Sequence, residues 1–190
     1  MQKGDMDQTL RQLLLSFARQ TIRAHLSGQP LPEIPSGCEA TADLGGAFVT
    51  LKNAGRLRGC IGRFSPTEGL GQTVQQMAIA ALSDWRFHDD PITLDELNQL
   101  NIEISILSPM KRTNDPLSLE LGVHGIMIRK GGRSGCFLPQ VAREQNWSKE
   151  QFLSRCCTGK AGLPANAWKD SDTEVFLFAA EAFHENDPGV

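Results

Sequence analysis

Ala47-Phe48-Val49-Thr50-Leu51-Lys52-Asn53-Ala54-Gly55-Arg56-Leu57-Arg58-Gly59-Cys60-Ile61-Gly62 decides the fold class. Residues 47–52 and 56–62 are β-prone runs, and Asn53-Ala54-Gly55 between them reads as a three-residue turn with glycine available for positive φ. Directly afterwards, Ser65-Pro66-Thr67-Glu68 has the form of a capping box with proline at the first helical position. Leu70, Val74, Met77, Ala78, Ala81 and Trp85 then keep helical spacing, and the alanines would let that helix approach a sheet closely. A tight strand pair leading into a helix favours an α+β domain, with an antiparallel or mixed sheet and packed helices, over a parallel doubly wound sheet.

Working outward, residues 7–27 form an amphipathic helix pattern. Leu10, Leu14, Phe17 and Ala18 share a face, Asp7 is placed to cap it, and Gly28 ends it before the prolines of 29–37. Thr93-Leu94-Asp95-Glu96 reads as a second capping box, opening a short helix before a strand at 101–107. In that strand Ile102, Ile104 and Ile106 alternate with Glu103 and Ser105. A second hairpin is expected at 125–130 and 135–138, with Gly131-Gly132-Arg133-Ser134 as its turn. Ser148-Lys149-Glu150-Gln151 caps a helix bearing Phe152, Leu153, Cys156 and Cys157, and a strand follows at 174–183. The domain is expected over 7–183, with a flexible polar tail at 184–190 and a smaller lobe built from part of the second half.

Composition narrows the functional classes. The 190 residues are 40% hydrophobic and 22% charged, with a formal net charge of −3. That balance argues against non-specific nucleic-acid binding, which requires a basic field to release phosphate counterions. No apolar run approaches the ~18 residues of a membrane span. Five cysteines without a secretion signal fit reduced thiols in a cytoplasmic setting. The four histidines are scattered and no Cys-x-x-Cys occurs, so neither a metal nor another cofactor is expected.

Arg58 and Cys60 carry the sharpest chemical reading. Strand positions i and i+2 share a face, so a guanidinium would stand beside a thiol, and a neighbouring cation favours thiolate. Gly59 and Gly62 would clear space for a ligand. The competing reading is a small buried cysteine with glycines that permit a bulge or tight packing. Glu103 could balance Arg58 or act as a base, or be an exposed strand carboxylate. His124 could activate Cys60, or be a loop histidine bonded to backbone. Asp84 and Arg86, flanking Trp85, are expected to form an ion pair or cap.

Leu57-Arg58-Gly59-Cys60-Ile61-Gly62 resembles the six-residue signature of the AMMECR family, protein A of the AmmeMemoRadiSam system. Ala80-Ala81, Asp84-x-Arg86-Phe87, residues 102–107, residues 122–126, residues 137–142 and Lys160-Ala161-Gly162-Leu163 continue the resemblance in family order over roughly 8–183. Cys156-Cys157-Thr158-Gly159 departs from the family's approach to Lys160. The resemblance implies a compact α+β fold with the motif near a cleft. It also implies association with a Memo-type protein and a radical S-adenosylmethionine protein, without an established catalytic activity. From the residues themselves, Cys60, Glu103 and His124 are the candidate catalytic residues. Arg58, Gly59, Gly62, Arg86 and Lys160 are candidate ligand contacts, suited to a small anionic ligand. The expected function is an accessory or binding component; the alternative is an enzyme using the Cys60 thiol on a small anionic substrate.

Overall fold

The structure, a computed structural model, describes residues 7–38 and 44–187. Four α-helices among the described residues combine with antiparallel strand pairs, as the α+β reading anticipates. The chain divides into two compact units. One runs to Ile106 and resumes at Glu181; the other is Leu107–Ala180, from the half expected to supply a smaller lobe.

The first unit opens with α1 (Gln8–Leu26), whose N-terminus Asp7 caps by accepting from the Thr9 amide. Ser27 follows the helix, and Gly28 takes a left-handed φ of 65°. β1 (Gly46–Asn53) and β2 (Arg56–Phe64) form the first hairpin, followed by α2 (Leu70–Leu82) and β3 (Leu100–Leu107). The strand order is β2-β1-β3, which leaves β2 on the edge. Leu14, Phe17 and Ile22 of α1, Val74 and Ala78 of α2, Val49 and Leu51 of β1, and Ile102 and Ile104 of β3 are all buried in one core. Each of these side chains larger than alanine contributes roughly 1.5–3 kcal/mol by leaving water. Arg19 ties the ends of this unit together, donating to Glu185 and to the carbonyls of Leu97 and Leu100. Glu185 also accepts from the Ile102 amide, and residues 188–190 of the expected tail lie outside the described residues.

The second unit contains β4 (Lys111–Thr113), β5 (His124–Lys130), β6 (Arg133–Phe137), α3 (Pro139–Glu144) and α4 (Lys149–Gly159). Most of β7 (Glu174–His184) also belongs here, pairing antiparallel with both β4 and β5. Ser148 and Gln151 complete the expected capping box of α4, which buries Phe152, Leu153, Cys156 and Cys157 against Ile126 and Ile128.

Several local expectations need correction. The first turn has two residues, not three: Ala54 and Gly55 both take positive φ, 47° and 81°. That is the backbone twist a tight antiparallel pair prefers. The second hairpin likewise turns on Gly131 and Gly132 alone, with φ of 54° and 79°. Ser65 does not cap α2; it takes φ 46°, the helix starts four residues beyond Pro66 with Gly69 as its cap, and Glu68 pairs with Arg63 instead. Glu96 begins a 3₁₀ turn with no side-chain cap, and its carboxylate is engaged by Arg58. Alternation in β3 holds through Ile104 and then fails, since Ser105 is buried and Ile106 is half-buried. Helix α3 was not anticipated.

Candidate functional site

The ladder between β1 and β2 decides where the motif's side chains go. Leu51 faces Gly59 and Lys52 faces Leu57, so the register shifts and Arg58 is the extra residue of a β-bulge. A bulge breaks the period-2 rule on which a shared face for Arg58 and Cys60 depends. The two side chains accordingly have different partners. Arg58 is 6% exposed and forms a fork on Glu96, with its Nε donating to Oε1 at 2.7 Å and Nη2 to Oε2 at 2.9 Å. Its Nη1 donates to Asp90 at 2.8 Å. The hydrogen bonds it donates to Glu96, opposed by burial, raise the Arg58 pKa above its ordinary value. Arg58 is a structural cation, not an open ligand contact.

Cys60 is half-buried, and the Thr50 hydroxyl lies 3.2 Å from its sulfur across the hairpin. Its backbone is held from outside the sheet. Asp84 Oδ2 accepts from the Cys60 amide at 3.0 Å, while Arg86 Nη2 donates to the Cys60 carbonyl at 3.1 Å. Asp84 and Arg86 thus satisfy one residue's edge groups, as a neighbouring strand would. Their mutual ion pair, expected from sequence, is present, and Asp84 also caps the 3₁₀ turn Trp85–Phe87. Arg86, rather than Arg58, is the cation that stands at Cys60, bound to its carbonyl.

Asp84 is 2% exposed. The Arg86 hydrogen bonds, opposed by burial and aided by the amides of Cys60 and Arg86, lower its pKa to about 2. A folded-state pKa below the unfolded value stabilises the protein above the unfolded value, and that stabilisation is lost as pH falls through the folded one. Stability should therefore decline by roughly 2 kcal/mol on acidification from pH ~4 toward ~2 through this group. Urea midpoints measured stepwise over that window should show a correspondingly smaller decline in Asp84→Asn, which carries no such titration.

The glycines serve packing. A Cβ at Gly59 would stand 2.1 Å from the Ala81 carbonyl oxygen of α2. One at Gly62 would strike the Phe48 ring, which covers it from the paired strand. Both spaces are filled by the protein itself.

Glu103 pairs with Lys52 at 2.8 Å. In the other unit, His124 Nδ1 accepts from the Glu120 amide at 3.0 Å, the backbone-bonded alternative. Lys160 follows α4 with its ammonium 5.6 Å from the Phe137 ring centroid. Of the candidates, Cys60 and Arg86 are brought together; Arg58 and Glu103 each have other carboxylate or ammonium partners. Among the described residues no group of three or more His, Cys, Asp or Glu could hold a metal ion.

Helical spacing from Leu70 extends the expected helix to Trp85. That residue is 80% exposed, because α2 stops at Leu82 and Asp84 opens a separate turn. The signal was present in Asp84 itself, an N-cap residue type after the last apolar repeat.

The family model described as AMMECR1 matches residues 15–183. The chain belongs to the AMMECR1 family. A relative from Methanopyrus kandleri is 39% identical over 93% of this chain and 89% of its own length. One from Aquifex aeolicus is 39% identical over 75% of this chain and 76% of its own. The AMMECR1 fold is also seen in the crystal structure of an uncharacterized protein from Pyrococcus horikoshii. It is 35% identical, with a TM-score of 0.82, covering 93% of this chain and 91% of that one. Among the described residues no helix of this AMMECR1 protein is long and apolar enough to cross a membrane.

Proposed function

We propose that this AMMECR1 protein is a binding component whose contact face is the edge of β2 with the turn Trp85–Phe87. The observation that carries the reading is Trp85, an indole 80% exposed on a turn pinned to Cys60 through Asp84 and Arg86. Tryptophan and arginine are the side chains that most often dominate protein interfaces, and a pre-fixed turn loses little freedom on docking. The partners implied by the family resemblance, a Memo-type protein and a radical S-adenosylmethionine protein, are the first to test. Cys60 contributes shape in this reading, and Arg58 holds the scaffold.

Trp85→Ala should weaken capture of such a purified partner by tenfold or more in a calorimetric titration, with the urea midpoint unchanged. Cys60→Ala should bind nearly as well as the parent. Equal binding by Trp85→Ala and the parent would refute the assignment.

Cys60, half-buried with Thr50 at its sulfur and Arg86 at its carbonyl, supports a second reading, an enzyme with a Cys60 nucleophile acting on a small anion. Rapid alkylation of Cys60 by iodoacetamide in the folded protein, together with activity lost in Cys60→Ser, would favour it.

A further inference from the structure

In the unit Leu107–Ala180 a cavity of about 230 Å³ opens between β4 and the segment that precedes β7. We propose that it binds a small oxyanion, a phosphoryl or carboxylate group on a compact molecule. Two of the cavity's lining residues, Val175 and Trp168, are buried, and the indole Nε1 donates to the Ser154 hydroxyl at 3.1 Å. The lining also includes Arg112, Asn114, Lys169 and Ser171.

These four supply donors that the protein leaves largely uncommitted. The nearest carboxylate oxygen to Arg112 is on Glu174 at 3.4 Å, and both side chains are well exposed. That is too long and too wet for a strong pair. Lys169 lies over the Trp168 ring, 4.9 Å from its centroid. Among the described residues no hydrogen bond engages the side chain of Asn114 or of Ser171. The carboxylate in the lining, Asp170, is bound by Lys130 at 2.6 Å, and the same ammonium also binds Asp172 at 2.7 Å.

The lining therefore presents two cations and two neutral donors beside one acid, Asp170, which shares Lys130 with Asp172, on a chain whose net charge is −3. Acceptor-rich anions match such donors. The cavity's volume falls below the ~300–1,000 Å³ of sites for drug-sized molecules, which favours a single oxyanion group over a nucleotide.

The test is a nuclear magnetic resonance titration of the full ¹⁵N-labelled chain with inorganic phosphate and, separately, acetate, each against chloride at equal ionic strength. Saturable shifts are expected at the Asn114 carboxamide, the Trp168 indole and the amides of Lys169 and Ser171. Saturation by phosphate alone assigns a phosphoryl group, by acetate alone a carboxylate, and by both the shared oxyanion chemistry. Arg112→Gln should weaken the response at least tenfold while distant resonances stay in place. The proposal is overturned if neither anion gives saturable local shifts, or if Arg112→Gln and Lys169→Gln both bind as the parent does.

Discussion

Arg58→Ala is expected to destabilise the protein by about 3–5 kcal/mol, the cost of removing one partner of a buried ion pair. The guanidinium is 6% exposed and the Glu96 side chain 16%, so the loss strands a carboxylate largely out of water. Asp90 is 66% exposed and is rehydrated at little cost, so the effect resides mainly in Glu96. Asn53 Nδ2 donates to the same carboxylate at 3.0 Å but brings no charge. Adding Glu96→Gln to the variant should recover part of the loss, giving a coupling on the order of 2 kcal/mol in a double-mutant cycle. The Arg58 hydrogen bonds hold the Glu96 pKa below its ordinary value. That contribution is present above the unfolded-state pKa and is lost as pH falls, so the penalty should shrink in acid. Urea unfolding with an unchanged m-value checks it. A ligand-facing arginine on an open surface would cost within about 0.5 kcal/mol.

Gly59→Ala should cost about 3 kcal/mol, at the upper end of overpacking penalties. The added methyl would stand 2.1 Å from a backbone oxygen of α2, and a helix backbone cannot rotate aside as a side chain does. Replacing a strand glycine with alanine otherwise stabilises slightly, so the sign isolates the crowding. Gly62→Ala meets the Phe48 ring, which can swing at the expense of its edge contact with Phe64, with centroids 5.3 Å apart. Its penalty should be nearer 1 kcal/mol. Thermal denaturation of the two variants side by side gives the comparison.

These two positions show why the sequence disclosed elements more readily than the site. Asp7, Gly28 and the Ser148–Gln151 box act locally, through bonds to their own backbone, so short patterns located the helices they bound. The Ser65–Glu68 pattern looked equivalent, but Glu68 pairs with Arg63 instead of the helix end. The hairpins were legible because Gly55, Gly131 and Gly132 mark the backbone twist. A bulge leaves no comparable mark. One extra residue at Arg58 moved the cation from Cys60 to Glu96, and Arg86, 26 positions after Cys60, took its place at the Cys60 carbonyl. Long-range pairing of this kind depends on tertiary packing that spacing does not encode. The motif's glycines were recognisable, yet their neighbours, Ala81 and Phe48, were visible only in three dimensions.

Hydrogen exchange on the full chain, with and without a purified Memo-type or radical S-adenosylmethionine partner, measures the proposed contact face directly. Slowed exchange at residues 84–88 and along the outer edge of β2 is the result predicted. Protection confined to other parts of the chain, with those amides exchanging as in the free protein, would contradict it.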